Sequence, residues 1–567
     1  MKRALLALCA LIVVSNVVGK KRWQEPGPTS LTLHVTTHLV QVNVIVLDHH
    51  GNPVSGLTRE DFKVFDNGKP QKVTIFRVES NRPPASVPKL PPNAFSNYAE
   101  RAGYAPPSVT VILLDALNTP LAAQIYARQQ VVKFLEQLQP NDHVALYALA
   151  NQLEILHDFT TDSSELLEAL GHYNGKYVGA IHNGEPQGGF PKMGAGGTRG
   201  SLGAGSESAQ LDHWMGNVQG LENRYYTEQR VRITTDALIA IANHLEGLPG
   251  RKNLVWVSAG FPFWNSLDQT LKPNAFTNQQ DFHSPLARAA RALNNVNLAI
   301  DPVDARGLMV TPGFSVTHHS VPSTQMPVRF EDSFATMDEL AERTGGRAFY
   351  NTNGIRRSIR RVLDDSRVNY VLGYYPQDVK WNGAFRKIKV QVDRRGVRLQ
   401  YRHGYSAMPE ERAPAGERTQ SLDAVVNSPL EATGIGLAVQ MLPDKSVSAP
   451  AYILRLQIDP KDITFQEQDG LWVASMTLVT DEFGPRGKNL RGAVQKVQLH
   501  LKPEIFQKVL VEGMGFGERL QFPILYNAER LRVVIRDDPT GRMGSANVPL
   551  DRALLPAKPT FTKRNQG

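Results

Sequence analysis

Three apolar runs in this sequence each end on oxygen-bearing side chains. Val109–Leu114 stops at Asp115, with Asn118 and Thr119 close behind; Asn253–Val257 stops at Ser258; Val296–Ile300 is followed by Asp301 and Asp304. If these runs are neighbouring strands of one wound sheet, Asp115, Asn118, Ser258, Asp301 and Asp304 converge on a polar cup beyond its carboxyl end, where such sheets bind their ligands. Asp301 and Asp304 are close enough in sequence for acid/base work, but the intervening Pro302 reads as a strand end and favours a structural or capping role. Phe261-Pro262-Phe263-Trp264 follows the second run directly, and an aromatic loop rimming a polar cup has the composition of a docking hot spot. The alternative is that these rings fold back as core. His49-His50 in a turn and His318-His319 in a loop read as solvated pairs. H-E-x-x-H, G-x-S-x-G, a phosphate-binding glycine loop and paired cysteines are absent, so familiar hydrolytic, zinc and nucleotide chemistries have no signature here.

The elements that position these residues follow from periodicity. Val109–Leu114 is continuously apolar, as a strand covered on both faces must be, and the amphipathic segment to Leu138 reads as its crossover helix. Strands and helices then alternate to Leu363, which predicts a doubly wound α/β unit over residues 109–367. A Gly-rich stretch at 171–220 interrupts it with too little apolar surface to fold alone. Residues 31–80 alternate with a period near two and form part of a β-sandwich too short to close by itself. The strands of 368–406 are therefore expected to return to it, making the α/β unit an insertion. Pro-rich 81–108 and 407–420 read as linkers, and 421–560 as a second, all-β, sandwich-like domain.

At 567 residues the chain is long enough for about four domains. Hydrophobic residues at 41%, charged residues at 21% and a net charge of +9 exclude collagenous, wholly disordered and multi-span membrane classes. The charge is thin over this length and no Lys/Arg cluster is interleaved with aromatics, which argues against a nucleic-acid partner. Lys2-Arg3, the apolar run Ala4–Val14 and the small residues Val17 and Gly19 form an export signal over 1–19. An uncleaved anchor is the alternative. Removal of the signal leaves no other membrane segment and, since Cys9 lies inside it, no thiol. The expected location is the periplasm, the outer envelope or the medium.

Several passages together resemble the von Willebrand factor A-type domain, and more closely the bacterial branch called the VWFA-related domain of acidobacterial-type proteins. They are Gly56-Leu57-Thr58-Arg59-Glu60-Asp61-Phe62, Leu114-Asp115-Ala116-Leu117-Asn118-Thr119, Pro249 to Pro262, Pro302 to Leu308 and Thr344-Gly345-Gly346-Arg347. The resemblance spans roughly 35–405 and implies a protein-binding domain, often acting through a divalent cation held by Asp-x-Ser-x-Ser, a second-loop Thr and a third-loop Asp. Asp115 and Thr119 match the ends of the first motif. Leu117 replaces its middle Ser, and Ala259 stands where the third-loop carboxylate belongs. Thr198 and Thr234 are both candidates for the second-loop Thr. The resemblance thus implies a degenerate site at Asp115 and Thr119, with no certain cofactor and at most weak binding of Mg²⁺ or another divalent cation. Without a cation, Asp115 caps the following helix, which Thr119 and Pro120 start. The expected function is non-enzymatic adhesion to a protein or cell-envelope partner through Asp115, Asn118, Thr119, Ser258, Phe261, Phe263, Trp264, Asp301 and Asp304. The alternatives are an exported enzyme using the same cup or the carboxyl-terminal domain, and an envelope component acting through its β-domains alone.

Overall fold

The computed structural model describes residues 39–80, 90–97, 108–173, 228–260, 296–308, 327–376, 380–407, 415–443, 452–522 and 527–550, a few single positions excepted. Residues 1–19, read from the sequence as an export signal, Thr198 and nearly all of the Gly-rich stretch, Phe261–Trp264 and His318-His319 lie outside them.

The chain runs through β1 (Val40–Leu47), β2 (Phe62–Asp66), β3 (Lys69–Gln71), β4 (Ile75–Ser80) and β5 (Ala94–Ser96) before the α/β segment. That segment comprises β6 (Ser108–Asp115), α1 (Leu121–Leu135), β7 (Val144–Leu149), β8 (Leu153–Thr160), α2 (Ser163–His172), α3 (228–245), β9 (Arg251–Ser258), β10 (Leu298–Asp304), α4 (Pro327–Thr344) and α5 (Ile355–Asp365). Next come β11 (Val368–Tyr374), β12 (Phe385–Val392), β13 (Arg398–Gln400), β14 (Gly404–Ser406) and α6 (Ala415–Asn427). The last group is β15 (Leu437–Pro443), β16 (Tyr452–Ile458), β17 (Gln466–Gln468), β18 (Leu471–Phe483), β19 (Asn489–Leu501), α7 (Pro503–Glu512), β20 (Met514–Phe522), β21 (Arg530–Asp537) and β22 (Met543–Pro549).

The central sheet has the order β10-β9-β6-β7-β8, parallel except for the antiparallel edge β8. From β6 the chain crosses to β7 on one side, and later places β9 on the other. The order therefore reverses between β6 and β9. Both faces of β6 are apolar because both are covered: Val109, Val111 and Leu113 join α3 and α4, whereas Ile112 and Leu114 join α1, α2 and α5.

Strands from before and after this segment share two antiparallel sheets, β13-β1-β11-β4 and β14-β12-β2-β3. Their inward residues, among them Val42, Val44, Val64, Leu372 and Val390, form one core. Inside it Asp66 accepts hydrogen bonds from Tyr374 Oη (3.1 Å), Tyr405 Oη (2.9 Å) and Arg386 Nε (2.8 Å), so its buried charge is paired.

The remaining strands form two further sheets, β20-β16-β15-β5 and β17-β18-β21-β22, with β19 paired to β18. Two expectations change here. Within the stretch read as a linker, β5 pairs with β15, and Asn97 binds three backbone groups of the 432–437 segment, so residues 94–97 belong to a sheet. The carboxyl-terminal region is also not all strand. α6, which begins at Ala415 inside the second expected linker, packs Val425 and Val426 against Val479 and Val534, and α7 adds Phe506 beside Trp472.

Candidate functional site

The registers bring the loops after β6 and β9 together at the carboxyl edge of the sheet. Leu114 lies opposite Val257, and Ser258 opposite Asp304, so Asp115, Ser258 and Asp304 end adjacent strands on either side of the reversal. Asp115 is 2% exposed. Its Oδ1 accepts from Asn118 N (2.9 Å), and its Oδ2 accepts from Asn118 Nδ2 (2.9 Å), Trp256 Nε1 (3.0 Å) and Ser258 Oγ (2.8 Å). Burial pushes the Asp115 carboxyl above its ordinary range, and these donors oppose that shift without cancelling it.

The neighbours continue the same network. α3 covers the row, with Arg230 Nε donating to Asn118 Oδ1 (3.0 Å) and Thr234 Oγ1 accepting from Asn118 Nδ2 at 3.4 Å. Thr119 Oγ1 accepts from Ala259 N (3.1 Å), which ties the first loop to the third. Asp115 does not cap the helix: α1 starts after Pro120 with no side-chain cap, and the Asp115 carboxylate closes its own loop on Asn118.

Two expected members of the cup behave differently. Asp304 lies at the edge, but Arg306 occupies its carboxylate through Nε (2.9 Å), the second guanidinium nitrogen (3.0 Å) and the backbone N–H (2.9 Å). Asp301 does not join the row. It lies opposite Val255, three residues back along β10 and so roughly 10 Å from the strand end. Its Oδ1 accepts from Arg347 N (2.7 Å), a contact that needs glycine beside it: a Cβ on Gly346 would stand 1.9 Å from the Ile300 carbonyl oxygen. Asp301, with Arg251 and Arg347 near it, belongs to a buried charge cluster under the sheet; burial pushes its carboxyl up to about 7, and the Arg251 charge opposes this. Phe261, Phe263 and Trp264 lie outside the described residues.

The residues present do not fit a resident divalent cation. A hard ion needs several oxygen ligands, whereas Asp115 Oδ2 already accepts three hydrogen bonds and Oδ1 a fourth, which leaves the carboxylate at most one lone pair for an ion. Leu117 is buried in the core and offers no oxygen, and Ala259 supplies none. Among the described residues no cluster of three or more His, Cys, Asp or Glu is placed to hold a metal. The members that the sequence reading missed are Trp256, Arg230 and the donor role of Ser258. Trp256 had a signal, since it stands two residues before Ser258 in a strand and therefore on the same face.

No family model and no curated protein matches the chain. Solved structures similar to it include an aerotolerance-related membrane protein from Bacteroides fragilis, at 13% identity and TM-score 0.22 over 45% of this chain and 98% of that one. Another is BatB from Bacteroides thetaiotaomicron, at 8% identity and TM-score 0.21 over 46% and 98%. A third is a von Willebrand factor type A protein from Catenulispora acidiphila, at 10% identity and TM-score 0.23 over 86% and 76%. Scores this low leave the fold to rest on the strand order and registers. Among the described residues no helix is long and apolar enough to cross a membrane.

Proposed function

We propose that this is an exported, non-enzymatic protein that binds a protein or cell-envelope partner through the carboxyl edge of an A-type α/β unit, carried as an insertion in a β-sandwich and followed by a second β-domain. In this reading the adhesion site has lost its cation. Asp115, Asn118, Thr119 and Ser258 hold the loops in shape, and contact passes to the apolar residues around them. The observation that carries this reading is that Leu121 (42% exposed), Ile125 (53%) and Leu308 (56%) present large apolar side chains beside a polar row whose own groups are buried and paired. Asn353 links their two segments: its side chain accepts from Leu308 N (2.8 Å) and its carbonyl from Tyr126 Oη (3.0 Å) on α1. Apolar anchors on a rigid frame are what a binding hot spot requires. Phe261, Phe263 and Trp264, which follow Gly260 in the chain and lie outside the described residues, stay in this proposal as candidate partner contacts on their sequence alone.

The test is capture from an envelope extract by the full chain, with Ile125→Asp and Leu308→Asp as variants. Capture that survives EDTA and is lost in both variants supports the reading. Capture abolished by EDTA and restored by Mg²⁺, or unchanged in both variants, overturns it.

A further inference from the structure

Among the described residues the sandwich ends in four edge strands, β13 and β4 in one sheet and β14 and β3 in the other. β13, β14 and β3 are three residues long, and β3 carries Lys69 and Pro70; short length, lysine and proline are the devices that keep an edge from pairing. β4 has none of them. It runs six residues, Ile75–Ser80, in unbroken register with β11 and contains no proline, glycine or lysine. Its other side pairs with no strand among the described residues. Alternate residues of an antiparallel strand turn both N–H and C=O away from the partner, so that side offers a row of main-chain donors and acceptors.

The side chains on this edge are unfinished in a matching way. Phe76 and Val78 share the core face: Phe76 lies 6.2 Å from the Tyr370 ring, whereas Val78, opposite Tyr370, is left 43% exposed. Arg77 and Glu79 share the other face. Arg77 is exposed and makes no hydrogen bond or ion pair among the described residues. Glu79 is half-buried; its Oε2 accepts from Asn369 Nδ2 (3.0 Å) on β11, and its Oε1 takes no hydrogen bond among the described residues. Burial pushes the Glu79 carboxyl up, and the Asn369 hydrogen bond and the charges of Arg77, Lys252 and Arg251 oppose this without cancelling it, so a further cation would be welcome there.

We propose that β4 pairs with β4 of a second copy of this chain, antiparallel about a twofold axis at Val78, joining the two sandwich sheets edge to edge. Charge selects both the occupant and the register. With Val78 opposite its own copy, Arg77 faces Glu79 at both symmetric positions, and the two valines cover each other at the open end of the core. An axis at Arg77 sets two arginines opposite each other, and an axis at Glu79 sets two glutamates. An axis between residues mixes the core face with the outer face. The inference is independent of the partner-binding surface proposed above.

The test is sedimentation velocity of the full chain over a concentration series reaching roughly 100 µM, since a two-strand contact lies at the small, weak end of specific interfaces. The wild type passes from monomer to dimer across the series. Arg77→Glu turns both symmetric pairs from opposite to like charge and raises the dissociation constant about tenfold, with thermal unfolding of the monomer unchanged. The register is read by oxidation in a Cys9→Ser background. Val78→Cys brings two thiols within disulfide reach across the axis and cross-links roughly tenfold faster than Val494→Cys, a control at a valine on β19 that is 69% exposed. A chain that stays monomeric throughout, which leaves the edge to a foreign strand, overturns the proposal. So does a dimer that Arg77→Glu does not weaken, or a Val78→Cys chain that cross-links no faster than Val494→Cys.

Discussion

Asp115 shows how a carboxylate that invites a metal ends up serving the fold. Each of its donors, from Asn118, Trp256 and Ser258, is buried with it, so its removal orphans several groups at once. Asp115→Ala is expected to cost about 3 kcal/mol in urea unfolding, with Mg²⁺ leaving the midpoint of the wild type unmoved. A Mg²⁺-dependent rise in that midpoint would show that the donors yield to the ion. Asp301 makes a prediction of opposite character. Its folded pKa of about 7 exceeds the unfolded value of 3.8, so the native state holds the proton more tightly and stability falls as pH rises from about 4 through about 7. Asp301→Asn should flatten that segment of the stability–pH curve; an unchanged slope would place the titration elsewhere.

Among the elements, β5 has only three residues, and Asn97 secures it. The Asn97 side chain donates to the carbonyls of Ala432 (2.6 Å) and Ile435 (2.9 Å) and accepts from Leu437 N (2.8 Å), all in a buried setting. Asn97→Ala should cost about 2 kcal/mol and free the 90–97 segment before the rest of the protein unfolds. The measurement is hydrogen exchange at the Leu437 amide, which should quicken in the variant under native conditions. Protection equal to wild type would mean that the β5–β15 ladder holds by itself. The proline content of 81–108 concealed this strand. Proline marks an edge strand as readily as a tether, and only a partner strand distinguishes the two.

At the scale of the molecule, His244 ties the α/β unit to the carboxyl-terminal strands. On α3, its Nδ1 donates to the Glu431 carbonyl (2.8 Å) while its Nε2 faces Asp158 Oδ1 at 3.4 Å; Thr433 N donates to the Asn243 carbonyl (3.0 Å) beside it. Burial, the largest single influence, pushes the His244 pKa down, but the charge and hydrogen bond of Asp158 together with the Glu431 carbonyl and carboxylate outweigh it and the net shift is upward. For Asp158, burial pushes upward, and His244 together with the Phe159 N–H and the Tyr147 hydroxyl outweighs it, giving about 2. The histidine's contribution is therefore fully present below its unfolded pKa of roughly 6.5 and is lost as pH rises through the higher folded value. The aspartate's contribution is present above 3.8 and is lost as pH falls toward about 2. Thermal unfolding should be most cooperative between these limits and separate into two transitions on the alkaline side. His244→Ala should show the two transitions at every pH; a single transition throughout would mean that other contacts dominate the junction.

The sequence by itself determined which segments are strands and helices around the central sheet, because a run such as Val109–Leu114 is apolar at every position only if both faces are covered. It also determined that oxygen-bearing residues follow those runs. Only the tertiary structure decided what those oxygens do. Whether Asp115 meets a cation or an indole N–H depends on register between strands far apart in the chain, which sets Trp256 and Ser258 beside it. Asp301 falls three residues short of the edge for the same reason. A single sequence records which groups can donate and accept, whereas their pairing follows from long-range packing that local pattern does not encode.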